Sequence, residues 1–414
     1  MPLRLISFLG LAAMVLLAWV LSENRKHIDW RLVGIGVTLQ AFLGLIILRT
    51  DAGNRFFDGV GTVFGILGTA SQQGASFVFG KLSEIFVLNP QAVAGADEPV
   101  LINAIFAFSV LPVVIVASSL AGILYHLRII QAVVRGMAWL MQKTLRTSGA
   151  ETFGAAMLVF LGIESMPSIK GYLHTMTRSE LLTLMTAFMA TVAASVLFAY
   201  ASFGASPGHL LAASIMSAPA AIVISKILVP ETETPVTQGG VKIEVEVESH
   251  NVMDGAARGA AEGVTLALNI GALIIAMISI VYLINQGMSA ITGYTFTEVM
   301  GWFFIPFAWL MGIPSQDVPA VAQLLGTKTV LNEFLAYAEL QPLIDSGQLQ
   351  PRSITIATYA LCGFANPGSL GILIAGLSGL APERRSEIAG LGIKSFAAGT
   401  LAVFMTACIA GILS

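Results

Sequence analysis

Apolar residues fall in runs close to the ~20 residues that a helix needs to cross a bilayer, at 3–21, 32–49, 102–125, 180–203, 209–229, 265–286, 355–377 and 390–413. The pattern predicts eight transmembrane helices. Two further apolar stretches are too short to cross, and each meets an acid: Ala150 to Gly162 leads into Glu164, and Pro319 to Val330 leads into Glu333. Each acid is followed by a second short limb. A carboxylate left unpaired against lipid costs about 3 kcal/mol or more, so both acids are expected at the tips of re-entrant hairpins facing protein or a hydrated cavity.

Between the second and third runs, residues 53–97 mix polar and apolar positions, as an interfacial amphipathic helix would, and end in the acidic piece Asn89 to Pro99. Pro230 to Val252 reads as a linker, with strict alternation from Lys242 to Glu248. On either side the pieces recur in one order: a span, an amphipathic segment, a short-limbed hairpin with a Glu tip, a span with a polar middle, and another span. Thr191 precedes the Gly204-x-x-Pro207 corner by 13 positions, and Asn366 precedes Gly379-x-x-Pro382 by the same 13. Each copy holds an odd number of crossings, so the two hairpins enter from opposite faces. This is an inverted repeat, the architecture in which discontinuous helices meet near the membrane midplane and bind a polar solute and a coupling ion. The expected division is a scaffold over 1–147, a first transport repeat over 148–229, a cytoplasmic linker over 230–256, further scaffold over 257–313 and a second transport repeat over 314–414.

Composition agrees, with 56% hydrophobic and 11% charged residues, outside the range of soluble domains of this length. The fold class expected is an all-α integral membrane protein. The first run opens at Met1 without a basic leader or small-residue cleavage site, so it is expected to remain as a helix. Cys362 and Cys408 both lie inside runs and read as small packing residues. The net charge of -3 comes with no basic stripe for a nucleic acid polymer. Arg25, Lys26, Arg31, Arg128, Arg135, Lys143, Arg146, Arg384, Arg385 and Lys394 fall on one set of connections. The positive-inside rule makes these cytoplasmic and places both termini outside, in a cell inner membrane. The five histidines are scattered without ligand spacing, so no metal site is expected.

The stretch Gly326-Thr327-Lys328-Thr329-Val330-Leu331-Asn332-Glu333-Phe334-Leu335-Ala336-Tyr337, with Leu361-Cys362-Gly363-Phe364-Ala365-Asn366 through Ser369, resembles the two signatures of the concentrative nucleoside transporters. Phe77-Val78-Phe79-Gly80 and Gly162-Ile163-Glu164 extend the likeness over nearly the whole chain. The resemblance implies a homotrimer in the lipid bilayer that imports a nucleoside by cation symport, needs no cofactor and catalyses no reaction. It implies that Glu333, Asn332, Asn366 and Ser369 hold the ribose, with Phe364 on its apolar side, and that Gly162, Glu164 and Val196 face the base. The chemistry is apt, since vicinal hydroxyls are both donors and acceptors, and a carboxylate, an amide and a hydroxyl satisfy them in a dry site. For Asn366 the plain alternative is an interhelical hydrogen bond, although Asn366-Pro367-Gly368 breaks its helix.

Two departures from the family pattern matter. The Gln and Thr or Ser that precede the first Glu are Gly162 and Ile163 here, so base preference does not transfer, and a nucleobase or another small polar solute stays an alternative cargo. At the ion site, where Phe160 and Val192 would offer carbonyls and Thr191 a hydroxyl, sodium-coupled members place an Asn at the position of Met157. Hard cations want oxygen ligands, which a thioether is not. The sequence therefore leans to a proton over sodium, with Glu164 as carrier. An intramembrane enzyme using two buried carboxylates is the remaining class, but neither acid lies in a known enzymatic motif and two inverted hairpins have no obvious enzymatic use.

Overall fold

Capping residues and apolar length together decide where these helices start. The computed structural model describes residues 2–83, 86–88, 100–102, 105–239 and 249–414, with the side chains of 86–88, 100–102, 163 and 164 outside the description. From the N-terminus run α1 (Leu3–Val20), α2 (Trp30–Arg49), which Asp29 caps, and the amphipathic α3 (Asp51–Phe79). Two three-residue strands, β1 (Phe86–Leu88) and β2 (Val100–Ile102), pair antiparallel with Phe86 opposite Ile102. The short α4 (Phe106–Ser109) leads into α5 (Leu111–His126), and α6 (Ile129–Leu145) follows. The acidic piece Asn89 to Pro99 and the alternation from Lys242 to Glu248 lie outside the described residues.

Next come α7 (Gly149–Leu161), a 3₁₀ segment over Gly162–Ile169, and α8 (Lys170–Leu173). Reciprocal capping boxes begin α7 at Ser148 with Glu151 and α9 (Arg178–Ala190) at Thr177 with Glu180. Three residues interrupt the helix before α10 (Ala194–Ala201), and Pro207 opens α11 (Pro207–Leu228). The long α12 (Val252–Thr292) and α13 (Phe296–Leu310) lead to α14 (Val318–Val330) and α15 (Glu333–Asp345). The chain closes with α16 (Pro351–Leu361), α17 (Pro367–Leu380) and α18 (Arg385–Leu413).

Seven helices are long and apolar enough to cross a membrane, among the described residues. The eighth run, 355–377, is divided: α16 stops at Leu361 and α17 begins at Pro367, whose ring removes an N–H and would clash with the preceding turn of a continuous helix.

Polar contacts sort the connections into two ends of the bundle. At one end Glu23 N–H donates to Leu228 O (2.8 Å), Arg178 pairs with Glu23 (2.9 Å), and Lys394 pairs with the same carboxylate. Gly149 N–H reaches Thr237 O (3.0 Å), and Arg384 reaches Leu173 O and Met176 O (2.6 and 2.7 Å). At the other end Arg352 gathers Gly312 O, Gly411 O and Ser7 Oγ (2.9, 2.6 and 3.1 Å), bringing the chain termini together. There Asp317 accepts from Gln350 N (3.0 Å) and Ser353 Oγ (2.5 Å). The α7 to α8 piece therefore leaves and returns at the first end, and the α14 to α15 piece leaves and returns at the second. At about 1.5 Å per residue, the 13 residues of α7 or of α14 span roughly two thirds of a hydrocarbon core.

Of the most apolar 18 residues in each, 83% are buried in Arg178–Ala201 and 89% in Pro207–Leu228, against 17% in α12, so the centre of the molecule is built from α9 to α11. α12 runs along the outside, exposing Leu268, Ile275, Leu283 and Ile291. It approaches α5 closely because Gly259 has no side chain: a Cβ there would meet Ser118 O at 2.3 Å. A buried ionic cluster fastens the base of α7 to the centre. Lys226 Nζ contacts Glu151 (2.8 Å), Glu231 (3.2 Å) and Ser179 Oγ (3.1 Å), while Glu180 accepts from Ser148 Oγ and from Thr177 N (2.7 Å).

Candidate functional site

Two helices of the central bundle break, and the breaks touch. Thr191 to Ala193 separate α9 from α10, and Cys362 to Asn366 separate α16 from α17. Gly363 sits against the end of α9, where a Cβ would meet Met189 O at 3.0 Å and Ala190 O at 3.2 Å, so only glycine lets the backbones come this close. Phe188 and Phe364 pack beside it with ring centroids 5.4 Å apart.

The tip of the α14 to α15 hairpin reaches this crossing. Asn332 caps α15, accepting from Leu335 N (3.0 Å), and so places Glu333 in the first turn of that helix. Glu333 is 3% exposed, and its carboxylate is held from two sides. Tyr200 Oη donates to Oε1 and Asn366 Nδ2 to Oε2, each at 2.8 Å. Asn366 in turn caps α17, accepting from Ser369 N (2.8 Å), and its amide also donates to Ser369 Oγ (3.0 Å). The carboxylate thus lies at two helix N-termini, whose dipoles favour a negative charge. Each carboxylate oxygen keeps a second lone pair, so the group has acceptor capacity left for a polar solute.

Aromatic rings wall this carboxylate. Tyr200 stacks on Tyr337 with centroids 4.7 Å apart and meets Phe334 edge-on at 4.8 Å. The Tyr337 hydroxyl donates to Thr358 O (2.8 Å), fixing α15 against α16. A carboxyl group among rings, with one amide and one hydroxyl donor, suits a solute that offers hydroxyls on one side and apolar ring edges on the other.

Of the residues singled out from sequence, Asn332, Glu333, Asn366 and Ser369 form this one constellation, and Phe364 packs alongside. Val196 is buried on α10, one helical turn before Tyr200. Gly162 ends α7 with φ +66°, a backbone shape that favours glycine. Glu164 follows within the 3₁₀ segment, its side chain outside the described residues. Phe160 and Leu161 line a cavity of about 570 Å³ with Ser165, Ser195, Arg258 and Glu262, between the first hairpin and the α5 and α12 pair. Neither Glu333 nor Asn366 is among its described lining residues.

The residues expected at the ion site have partners within the protein, one local and one on α11. The Thr191 hydroxyl donates to Ala187 O (2.7 Å), and Ser214 Oγ donates to Val192 O (3.2 Å). Met157 is 2% exposed in an apolar surround. Sequence reasoning missed Tyr200, although a tyrosine inside an apolar run needs a partner for its hydroxyl when buried. It also passed over Lys328, which is buried in α14.

Comparison with known proteins bears on this geometry. Residues 209–411 match the profile of the Na+ dependent nucleoside transporter C-terminus, residues 9–82 that of its N-terminus, and residues 107–207 one described as nucleoside recognition. Solute carrier family 28 member 3 of Mus musculus is 40% identical over 99% of this chain and 59% of its own length. Sodium/nucleoside cotransporter 1 of Rattus norvegicus is 36% identical over 100% of this chain and 64% of its own. The chain thus spans about three fifths of the length of these mammalian relatives. The uncharacterized transporter YutK of Bacillus subtilis is 38% identical and matches end to end, over 97% of this chain and 98% of its own. Among solved structures, CNTnw in an inward-facing substrate-bound state superposes with a TM-score of 0.89 at 35% identity, covering 99% of this chain and 98% of that one. A CNTnw variant in an outward-facing state gives 0.90 at 35% identity with the same coverage, so the likeness speaks for the fold and not for one conformational state. These matches run through both hairpins and both broken spans, and the chain belongs to the concentrative nucleoside transporter family, a family of transporters and not of enzymes.

Proposed function

We propose that this chain is a secondary active transporter that imports nucleosides by symport with a cation. The ribose binds at Glu333, Asn332, Asn366 and Ser369 with Phe364 on its apolar side, and the base lies toward Gly162, Glu164 and Val196. The observation that carries the reading is the buried Glu333 carboxylate held by the Asn366 amide and the Tyr200 hydroxyl at the crossing of two broken helices. The hairpins act as re-entrant elements entering from opposite faces, and the hairpin-bearing parts, 148–229 and 314–414, move as an elevator against scaffold parts 1–147 and 257–313. The end that gathers Arg25, Arg178, Arg384 and Lys394 is cytoplasmic, which leaves both termini periplasmic in an inner-membrane homotrimer.

Coupling to protons is favoured over sodium by one observation. Met157 is buried where the family resemblance puts the Asn of sodium-coupled members, and a thioether is a poor ligand for a hard cation. Glu164 is the proposed carrier, and the Phe160 and Val192 carbonyls with Thr191 are the sodium alternative. Uptake of radiolabelled uridine, adenosine and pseudouridine into proteoliposomes, under separate sodium and pH gradients, tests cargo and coupling together. Accumulation above the outside concentration under an inward proton gradient is expected. No accumulation under any gradient refutes the transport reading, and uptake that needs sodium and ignores pH refutes the proton.

A further inference from the structure

Both hairpins are tied at the base to the start of a broken span, by the same contact with its partners exchanged. In the first repeat the Glu180 carboxylate, at the third position of α9, accepts from Thr177 N–H (2.7 Å) and from the Ser148 hydroxyl at the hairpin base. In the second repeat the Asp317 carboxylate, at the hairpin base, accepts from Gln350 N–H (3.0 Å) and from the Ser353 hydroxyl (2.5 Å) at the third position of α16. Numbering makes the positions equivalent: a shift of 169 carries Ser148 to Asp317 and Glu164 to Glu333, and a shift of 173 carries Thr177 to Gln350 and Glu180 to Ser353. Hydroxyl and acid have changed places while the pattern of bonds stays. All four side chains are buried. Asp317 stands at the N-cap position of α14, where an aspartate usually accepts from its own helix, yet it makes no side-chain bond to α14 and turns to α16 instead.

The place of this clasp fixes a length. Asp317 precedes Glu333 by 16 positions and Gln350 precedes Asn366 by 16. The bond at the base and the bond at the site therefore both join residues 33 apart, and α14 packs on α16 in one register from clasp to carboxylate. The same step of 16 leads in the first repeat from Ser148 to Glu164 and from Thr177 to Ala193 in the break of that span. Between clasp and site the buried side chains of α14 and α16 are largely apolar, among them Val321, Leu325, Ile356 and Ala357. Apolar contact is non-directional, so it tolerates a slip that a carboxylate held by two donors does not. Nearer the tip, Lys328 Nζ reaches Ala360 O (2.9 Å) on a flexible stem, and Tyr337, on the second limb, reaches Thr358 O (2.8 Å); the clasp ties the first limb at its base. A slip of one residue moves a helix by about 1.5 Å, enough to part Glu333 from the Asn366 amide at 2.8 Å.

We propose that the basal clasps set the register of the binding site, with Asp317 and Ser353 as positioning residues that act through Glu333 and Asn366, and with Ser148 and Glu180 as their counterparts in the first repeat. The inference rests on the reading above that Glu333 and Asn366 hold the ribose. Selectivity for the ribose hydroxyls then depends on side chains the whole length of α14 away from the sugar, about 20 Å for its 13 residues. A binding constellation has to be held to within about 0.5 Å, and the clasp supplies that precision from the far end of the hairpin.

Asp317→Ser combined with Ser353→Glu rebuilds in the second repeat the arrangement of the first, and the test compares this exchange with each single variant and with wild type. Uridine KM, maximal uptake per folded transporter and inhibition by 2′,3′-dideoxyuridine are measured in proteoliposomes. Asp317→Ser is expected to raise uridine KM by about tenfold while inhibition by dideoxyuridine, which lacks the hydroxyls, stays within about twofold, so the preference between the two compounds narrows. The exchange should bring uridine KM back to within about threefold of wild type. A merely structural clasp would lower melting temperature and maximal uptake and leave the preference unchanged; that result overturns the proposal, as does an exchange no better than Asp317→Ser alone. Should Asp317→Ser fail to fold, Ser353→Ala decides, since it removes one donor and keeps the bond from Gln350. The preference should then narrow by about threefold, and an unchanged preference overturns the proposal. Wild type separates the two readings: equal inhibition by uridine and dideoxyuridine defeats the ribose assignment, whereas a discriminating wild type with equally discriminating clasp variants defeats only the register.

Discussion

Asn366 carries two duties that substitution can separate. Its carbonyl oxygen caps α17 through Ser369 N (2.8 Å), and its amide nitrogen donates to Glu333 (2.8 Å). Alanine removes both. Loss of the cap costs about 1 kcal/mol of stability, and loss of a bond to a charged group about 1.5–3 kcal/mol. If the sugar hydroxyls use the same amide, binding falls by a similar 2–3 kcal/mol, and uridine KM rises by about 30- to 150-fold. Aspartate keeps the capping oxygen but replaces the donor with a second carboxylate facing Glu333, so Asn366→Asp should hold more of the melting temperature than alanine and lose at least as much affinity. Uptake kinetics in proteoliposomes and thermal melting in detergent read the two effects independently. An alanine variant that melts early but keeps KM within about twofold of wild type would show that Asn366 only caps its helix, and the sugar assignment would be wrong.

Three other expectations follow from the same geometry. Tyr200→Phe deletes one donor to the Glu333 carboxylate and keeps the ring packing, so uridine KM should rise by about tenfold or more, with melting changed little; an unchanged KM would remove Tyr200 from the site. Gly363→Ala places a methyl 2.7 Å from Val403 Cγ2 and 3.0 Å from Met189 O, so it should cost about 1–3 kcal/mol and slow transport, measured by melting and by uptake rate. At the basic end, hydrogen bonding from Arg178, aided by Lys394, holds the Glu23 carboxyl below its ordinary value of 4.5. A depressed folded value gives stability that is present above the ordinary value and lost as pH falls through the folded one. Melting temperature should therefore drop below about pH 4.5 in wild type and drop less over that range in Glu23→Gln.

Much of the architecture was legible because lipid enforces a simple code: apolar length marks crossings, and an acid within a short apolar stretch marks a place shielded from lipid. Asn366-Pro367-Gly368 announced the break in the 355–377 run through proline chemistry alone. The break at Thr191 to Ala193 had no such signal, since neither proline nor glycine marks it and the 180–203 run reads as continuous. The structure supplies its reason in the close approach of Gly363 to Met189 O and Ala190 O, a tertiary contact. The bond from Tyr200 to Glu333 joins residues 133 positions apart, and that from Lys328 to Ala360 bridges 32, distances over which periodicity carries no information. α12 begins at Val252, thirteen residues before the apolar run that marked it, because its first turns pack on α5 through glycines and small residues.

The central claim is that a buried carboxylate, an amide and a hydroxyl at the crossing of two broken helices read the vicinal hydroxyls of a ribose. Competition for uridine uptake between unlabelled uridine and 2′,3′-dideoxyuridine tests it on the substrate side, leaving the protein untouched. Loss of both hydroxyls should weaken competition by about 30-fold or more. Equal inhibition by the two compounds would contradict the assignment.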